Sequence, residues 1–251
     1  MKRRGNARSV EQYIQAFKPL YYLATIPVLV FTVQLGLIYQ KYRKSAYSGA
    51  SGNHYLKVVF NKGLYGEFLL FSLLEKLPGN NKLLTNIYLP TRDGKTTEID
   101  VVMLNTTGIY VFENKNYGGW IFGDESSKFW TQLFKGGKKI KFLNPIWQNQ
   151  GHIKALQQEL KEVSPGFYYS YIVFGERCEL KKVSNSEVNV TIAKRSRLSK
   201  ELKNKIETRP QVFDDSRLMM LYESLRKFSL VDQAVKLEHI QNIKSRVRKS
   251  N

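Results

Sequence analysis

E-I-D-V-V-M-L-N-T-T-G-I-Y-V-F-E-N-K, residues 98 to 115, is the stretch on which the fold turns. Two apolar runs rich in β-branched residues, Ile99 to Leu104 and Ile109 to Phe112, flank a polar break from Asn105 to Gly108, the pattern of a β-hairpin. With Asn105 and Gly108 paired at the tip, counting back along both strands sets Asp100 opposite Glu113 and Glu98 opposite Lys115. Opposed side chains have Cβ atoms roughly 5 Å apart. Because side chains alternate faces, Glu113 and Lys115 share one face and Asn114 takes the other.

Two carboxylates and an ammonium therefore converge. Acids that close repel each other unless a cation lies between them, and oxygen ligands suit Mg²⁺ or Mn²⁺. A lysine beside such an ion can orient water or offset charge that develops on a phosphate. Glu98 with Lys115 also reads as a plain surface ion pair, and a one-residue slip would send the acids to opposite faces. The rest of the chain has to arbitrate.

A length of 251 residues allows one good core with appendages, or two small domains. Forty Lys and Arg against 21 Asp and Glu give a net charge of +19, which favours a polyanionic partner, nucleic acid or an anionic membrane surface. Cys178 is the lone cysteine, so an intrachain disulfide is excluded. Its acidic neighbours Glu176 and Glu179, with no histidine nearby, speak against a nucleophile. His54, His152 and His239 are scattered and give no zinc spacing.

Residues 1–18 are basic, and residues 19–40 carry no charge over a length sufficient to span a bilayer as a helix. Tyr21, Tyr22 and Tyr39 stand at its ends like an aromatic belt, and Lys41, Arg43 and Lys44 follow at once. This predicts a single-pass anchor in a lipid bilayer. A cleaved signal peptide is the rival, with Ser48-Gly49-Ala50 as small residues, but the apolar run is too long and the basic cluster intervenes. Residues 41–55 read as a basic, small-residue linker, 56–176 as the main domain and 177–251 as a mainly helical region.

Within the domain, Leu70, Phe71, Leu74 and Leu77 recur at helical spacing up to Pro78-Gly79, and Glu67 lies one turn earlier on the same stripe. A carboxylate aligned with a buried face is costly unless paired. It reads either as a first-turn acid complementing the helix dipole or as a third acid near the ion. Lys82 to Leu89 reads as a strand stopped by Pro90. Beyond Lys115, short alternating runs predict a small meander extending the sheet, with Trp120 and Trp130 as core or sheet-face residues before base-stacking platforms. Lys135, Lys138, Lys139 and Lys141 cluster around Gly136-Gly137, a loop suited to a phosphate backbone or to plain solvation.

From Asn144 the chain predicts a helix with Ile153, Leu156, Leu160 and Val163 buried, ending before Pro165, with Gln148 and His152 one turn apart on a neighbouring face. Phe167 to Phe174 then reads as an interior strand parallel to one already placed. Val188 to Ala193 is a weaker strand, and three helices follow, the second starting at Asp214 and Asp215. Arg246, Arg248 and Lys249 make the tail basic.

Helix, three strands, helix, strand, with acids on the first helix and the hairpin, resembles the PD-(D/E)xK nuclease superfamily. More closely, residues 62 to 160 resemble the nuclease-related domain (NERD) family through G-L-Y-G-E (63–67), E-I-D (98–100), G-I-Y-V-F-E-N-K-N-Y-G-G (108–119) and N-P-I-W-Q-N-Q-G-H-I-K-A-L (144–156). The resemblance implies an α/β fold with a restriction-endonuclease-like mixed sheet, here with an N-terminal transmembrane helix and a helical C-terminal extension. It further implies that Asp100 and Glu113 bind Mg²⁺ (or Mn²⁺), that Lys115 assists the attacking water, and that Glu67 and Gln148 support the site.

The expected function is a membrane-anchored, metal-dependent nuclease acting on nucleic acid, DNA before RNA, with its catalytic domain facing the cytoplasm where that substrate is accessible. The rivals are a non-catalytic tethered module that binds nucleic acid or protein, for which clustered acids are of no use, and a lipid-surface structural protein, which leaves the acids idle.

Overall fold

The computed structural model describes residues 3–232, 234–239 and 241–242. The chain forms two units, Met1–Lys44 and Ser45–Asn251. The first is one helix, α1 (Arg3–Lys44), which contains the uncharged run. Leu23, Ile26, Leu29, Phe31 and Leu37 on it are exposed. The side chains at 19–22 and 24, Tyr21 and Tyr22 of the expected belt among them, lie outside the described residues. Among the described residues no helix is long and apolar enough to cross a membrane.

The second unit begins with α2 (Tyr47–Ser51), inside the stretch expected to be a linker, and α3 (Tyr55–Phe60), which starts at the last residue of that stretch. That expectation fails because Tyr47 is fully buried, its ring tilted against Phe68 and set edge-on to Phe71. A small-residue composition hid one aromatic anchor. Asn61 then caps α4 (Lys62–Leu74), accepting from Gly63 N at 2.9 Å and Leu64 N at 3.1 Å.

Next come β1 (Lys82–Pro90), β2 (Thr96–Asn105) and β3 (Gly108–Lys115). The hairpin has the register counted from its tip, from Asn105 with Gly108 to Val101 with Phe112. After β3 come β4 (Gly119–Asp124), β5 (Phe129–Leu133) and β6 (Lys139–Leu143), then α5 (Pro145–Glu159), β7 (Tyr168–Phe174), β8 (Cys178–Ser184) and β9 (Val190–Lys194). The chain continues through α6 (Arg195–Thr208) and α7 (Asp215–Arg226). Asp214 caps α7 by accepting from Arg217 N at 2.7 Å, the helix-start role expected of it. Of the third expected C-terminal helix, residues 234–239 are helical, and residues 243–249, with Arg246, Arg248 and Lys249, lie outside the described residues.

Two mixed sheets result, ordered β1-β2-β3-β7-β9 and β6-β5-β4-β8. The meander was expected to extend the first sheet and instead founds the second. The reason is that β7 takes the free edge of β3, in parallel, from Ile109 with Tyr168 to Lys115 with Phe174. The main sheet also continues past residue 176, because β9 is its last strand. α5 and α7 cover one face, where Val102, Leu104 and Val111 of the sheet pack with Leu156, Leu218 and Leu221 of the helices in one buried cluster. α4 covers the other face, so that the strand ends carrying the acids are enclosed from both sides.

Candidate active site

The acids sit where the main sheet breaks its own alternation. Ile99 and Val102 belong to the same buried cluster, as do Leu84 and Ile87 on the paired strand, although strict alternation would send each pair to opposite faces. Both strands shift sides together at Asn86, whose φ is 51°, and at its neighbour Asp100. Asn86 is one of two described non-glycine residues with positive φ, a costly conformation that active sites often carry. The β2–β3 ladder ends at Val101 with Phe112, and Asp100 Oδ2 instead accepts from Asn114 N at 2.8 Å.

The shift also corrects one expectation. Thr97 now faces α5, through a 2.8 Å contact with His152 Nδ1, so Glu98 turns to the opposite side, where it accepts from the Tyr88 hydroxyl. Glu98 therefore does not meet Lys115. Lys115 Nζ stands 2.6 Å from Glu113 Oε1, on the face that alternation assigned to both.

Glu113 is 5% exposed and both of its oxygens are engaged, Oε1 by Lys115 and Oε2 by His152 Nε2 at 2.9 Å. Burial alone would raise its carboxyl; Lys115 and His152 outweigh that and hold it at about 2. An ionised carboxylate only accepts, so His152 Nε2 donates to Glu113, while Nδ1 is hydrogen-bonded to the Thr97 hydroxyl. Burial works against the Lys115 ammonium, but Glu113 more than compensates and raises it above the ordinary lysine range. Asp100 is pushed well above the usual carboxylate range by burial first, then by the charges of Glu113 and Glu67.

Glu67, on α4, is 4% exposed and reaches the opposite face of the sheet. Its Oε1 gathers the Tyr47 hydroxyl at 2.7 Å, Thr85 Oγ1 at 2.8 Å and Asn86 Nδ2 at 2.9 Å. Thr85 Oγ1 also lies 2.6 Å from the Asp100 carbonyl oxygen. Its single proton serves one of these two contacts; with that proton donated to the Asp100 carbonyl, a proton on Glu67 Oε1 donates to Thr85 Oγ1. That count agrees with a carboxyl pushed up to about 7, mainly by burial. Gly66 lets α4 come this close, since a Cβ there would stand 2.6 Å from Asn116 and 2.8 Å from the Asn114 amide.

α5 is pinned over the site by two asparagines from the N-P-I-W-Q-N-Q-G-H run. Asn144 caps it, accepting from Ile146 N at 2.9 Å, and donates to the carbonyls of Asp124, Glu125 and Ser127. Asn149, fully buried, donates to the Val111 carbonyl and to Ser170 Oγ, each at 2.8 Å. His152 is thereby delivered to Glu113. Gln148, one turn earlier, is half-buried and makes no side-chain hydrogen bond to the acids among the described residues. The one-turn spacing was the signal for His152, and it pointed to the pair without saying which member arrives. Tyr47, Thr85, Asn86 and Thr97 had no signal in the sequence. Lys135, Lys138, Lys139 and Lys141 are exposed on the β5–β6 hairpin of the second sheet, and among the described residues none forms an ion pair with Asp100 or Glu113.

Among the described residues no group of three or more ligating side chains forms a metal cage. Mg²⁺ needs no such cage, because it is commonly held by one or two carboxylates with water and substrate phosphate completing its shell. Asp100 and Glu113 fit that pattern. Their mutual repulsion is only partly met by Lys115, and among the described residues no hydrogen bond reaches Asp100 Oδ1.

A model of the nuclease-related domain matches residues 62–175, a span holding Glu67, Asp100, Glu113, Lys115, Gln148 and His152. An uncharacterized protein of Bacillus anthracis is 31% identical over 190 residues, covering 75% of this chain and 86% of that protein. Two solved structures are distantly similar. Can2 from Sulfobacillus thermosulfidooxidans, in complex with cyclic tetra-adenylate, is 18% identical with a TM-score of 0.31, covering 59% of this chain and 36% of its own. A crystallised protein of unknown function is 15% identical with a TM-score of 0.34, covering 74% and 98%. The domain match and the long alignment with the Bacillus relative agree, and the chain belongs to the nuclease-related domain (NERD) family.

Proposed function

We propose that this chain is a divalent-metal-dependent nuclease, held at a membrane by α1, that hydrolyses phosphodiester bonds of nucleic acid, DNA before RNA. The observation that carries the reading is the meeting of Asp100, ionised Glu113 and Lys115 at the broken end of the β2–β3 ladder. The uncharged run 19–40 and the basic residues Lys41, Arg43 and Lys44 support the anchor.

Asp100 and Glu113 would hold Mg²⁺ or Mn²⁺. When bound, such an ion supplies Lewis-acid chemistry at the scissile phosphate. Lys115 stays protonated, so it does not take a proton from water. Its remaining N–H groups orient the attacking water and offset the charge that grows on the phosphate. His152 fixes the carboxylate of Glu113 from the other side, and Thr97 fixes His152. Lys135 and Lys138, in the turn, would hold the phosphate backbone through charge, without reading sequence.

The test uses the full-length protein on linear and circular DNA and on RNA, with Mg²⁺ or EDTA, beside Asp100→Ala and Lys115→Ala. The expected result is cleavage in Mg²⁺ that EDTA and either substitution abolish. Cleavage that survives both substitutions overturns the reading, and binding without cleavage in every metal replaces it with a tethered binding module.

A further inference from the structure

The second sheet has a face that the core does not use. Ile121, Trp130 and Phe142 point inward to a buried cluster, so their neighbours along each strand point outward. Strand pairing sets Trp120 beside Leu133 and then Lys139, and Phe122 beside Thr131 and then Lys141. On the other side Trp120 is partnered by Glu179 and Phe122 by Lys182, while Lys181 Nζ, 2.6 Å from Glu179 Oε2, stands 5.6 Å from the centre of the Trp120 ring. Lys139, Lys141 and Lys182 are exposed and have no carboxylate partner among the described residues. Trp120 and Phe122 are half-buried, two positions apart on one strand.

Aromatic rings interleaved with unpaired ammonium groups match a polyanion whose repeating unit carries a flat aromatic group. A duplex buries its bases in the stack, and an acidic peptide would satisfy the lysines and leave the rings unused. A single strand offers both phosphate and base face, and sheets that bind one stack two or three bases on aromatic side chains. We propose that this outer face binds single-stranded nucleic acid, with bases stacked on Trp120 and Phe122 and phosphates along Lys139, Lys141 and Lys182. The proposal rests on the nuclease reading only for where the strand leads. Trp120 follows Lys115 by five residues, which bounds the separation of their Cα atoms at about 18 Å. Tyr117 sets the second sheet beside the site, its ring 6.0 Å from Lys115 Nζ and 4.9 Å from the ring of Phe142 on the inner face of β6.

The experiment measures fluorescence anisotropy of labelled oligothymidine, oligouridine and a duplex of equal length with the full-length protein in EDTA, where binding is read without cleavage. Both single strands are expected to bind more tightly than the duplex. Trp120→Ala is expected to weaken single-strand binding roughly tenfold, with Trp120→Phe restoring most of it. The Lys139→Gln/Lys141→Gln double variant is expected to reduce the slope of log K against log salt by about 1.4. Duplex affinity equal to that of the single strands, or single-strand binding unchanged by Trp120→Ala, overturns the proposal. Should Trp120→Ala fail to fold, photo-cross-linking of a bromouracil-substituted strand to the unaltered protein decides. Adducts on the peptide containing Trp120 and Phe122 support the proposal, and adducts only elsewhere overturn it. Asp100→Ala is expected to lose cleavage and keep this binding, so the two readings fail separately.

Discussion

Glu67 and Glu113 lie on opposite faces of one sheet, buried alike at 4% and 5% exposure, yet their carboxyls move in opposite directions, to about 7 and about 2. Burial penalises both charges, so it does not explain the difference. The neighbours do. Glu113 has an ammonium at 2.6 Å and an imidazole at 2.9 Å, whereas Glu67 has a phenol, an alcohol and an amide. The α5 face thus keeps a carboxylate charged, as the proposed metal site requires. The α4 face keeps one neutral, as a polar peg joining α2, α4 and β1. Asp100, at the point where the strands change sides, feels both.

The largest expected effect is on chemistry. Asp100→Asn should abolish Mg²⁺-dependent cleavage, and Lys115→Met should cost on the order of 10²- to 10³-fold in kcat. Glu67→Gln should leave most activity intact, and a loss as large as that of Asp100→Asn would break the contrast between the faces.

Stability should separate the two acids next. Glu113→Gln strands the buried ammonium of Lys115, and urea denaturation at pH 8 should show a loss of about 3 kcal/mol. Glu67→Gln mimics the protonated acid and should be neutral or stabilising there.

The pH dependence sharpens the same contrast. Between pH 4.5 and 7 the folded chain keeps a proton on Glu67 that the unfolded chain has lost. Stability from this group is therefore full below 4.5 and declines as pH rises to 7, by roughly 3 kcal/mol. Glu113 has the opposite sign: its contribution is full above 4.5 and is lost as pH falls toward 2. Thermal melts should show the upper decline disappear in Glu67→Gln and persist in His152→Ala. The smallest effect belongs to His152→Ala as a positioning change, a roughly tenfold rise in the Mg²⁺ concentration needed for half-maximal activity.

The hairpin was legible because its tip fixes the register, and alternation then places Glu113 with Lys115 whatever surrounds them. Glu98 was misplaced for a reason no local pattern carries. The side switch at Asn86 and Asp100 arises between two paired strands, and neither strand's hydrophobic pattern shows it alone. Tyr47 escaped for the converse reason, since Ser, Gly and Ala neighbours read as linker and the ring's partners, Phe68 and Phe71, come from another helix. The second sheet was hidden because a meander is compatible with either an extended sheet or a new one until β7 is known to occupy the edge of β3.

The most direct test of the account is calorimetric titration of Mn²⁺ into the full-length protein and its Asp100→Asn and Glu113→Gln variants. One ion per chain, with affinity reduced at least tenfold by either substitution, is the predicted result. Unchanged Mn²⁺ binding in both variants would contradict the claim that these two carboxylates are held together to share a cation.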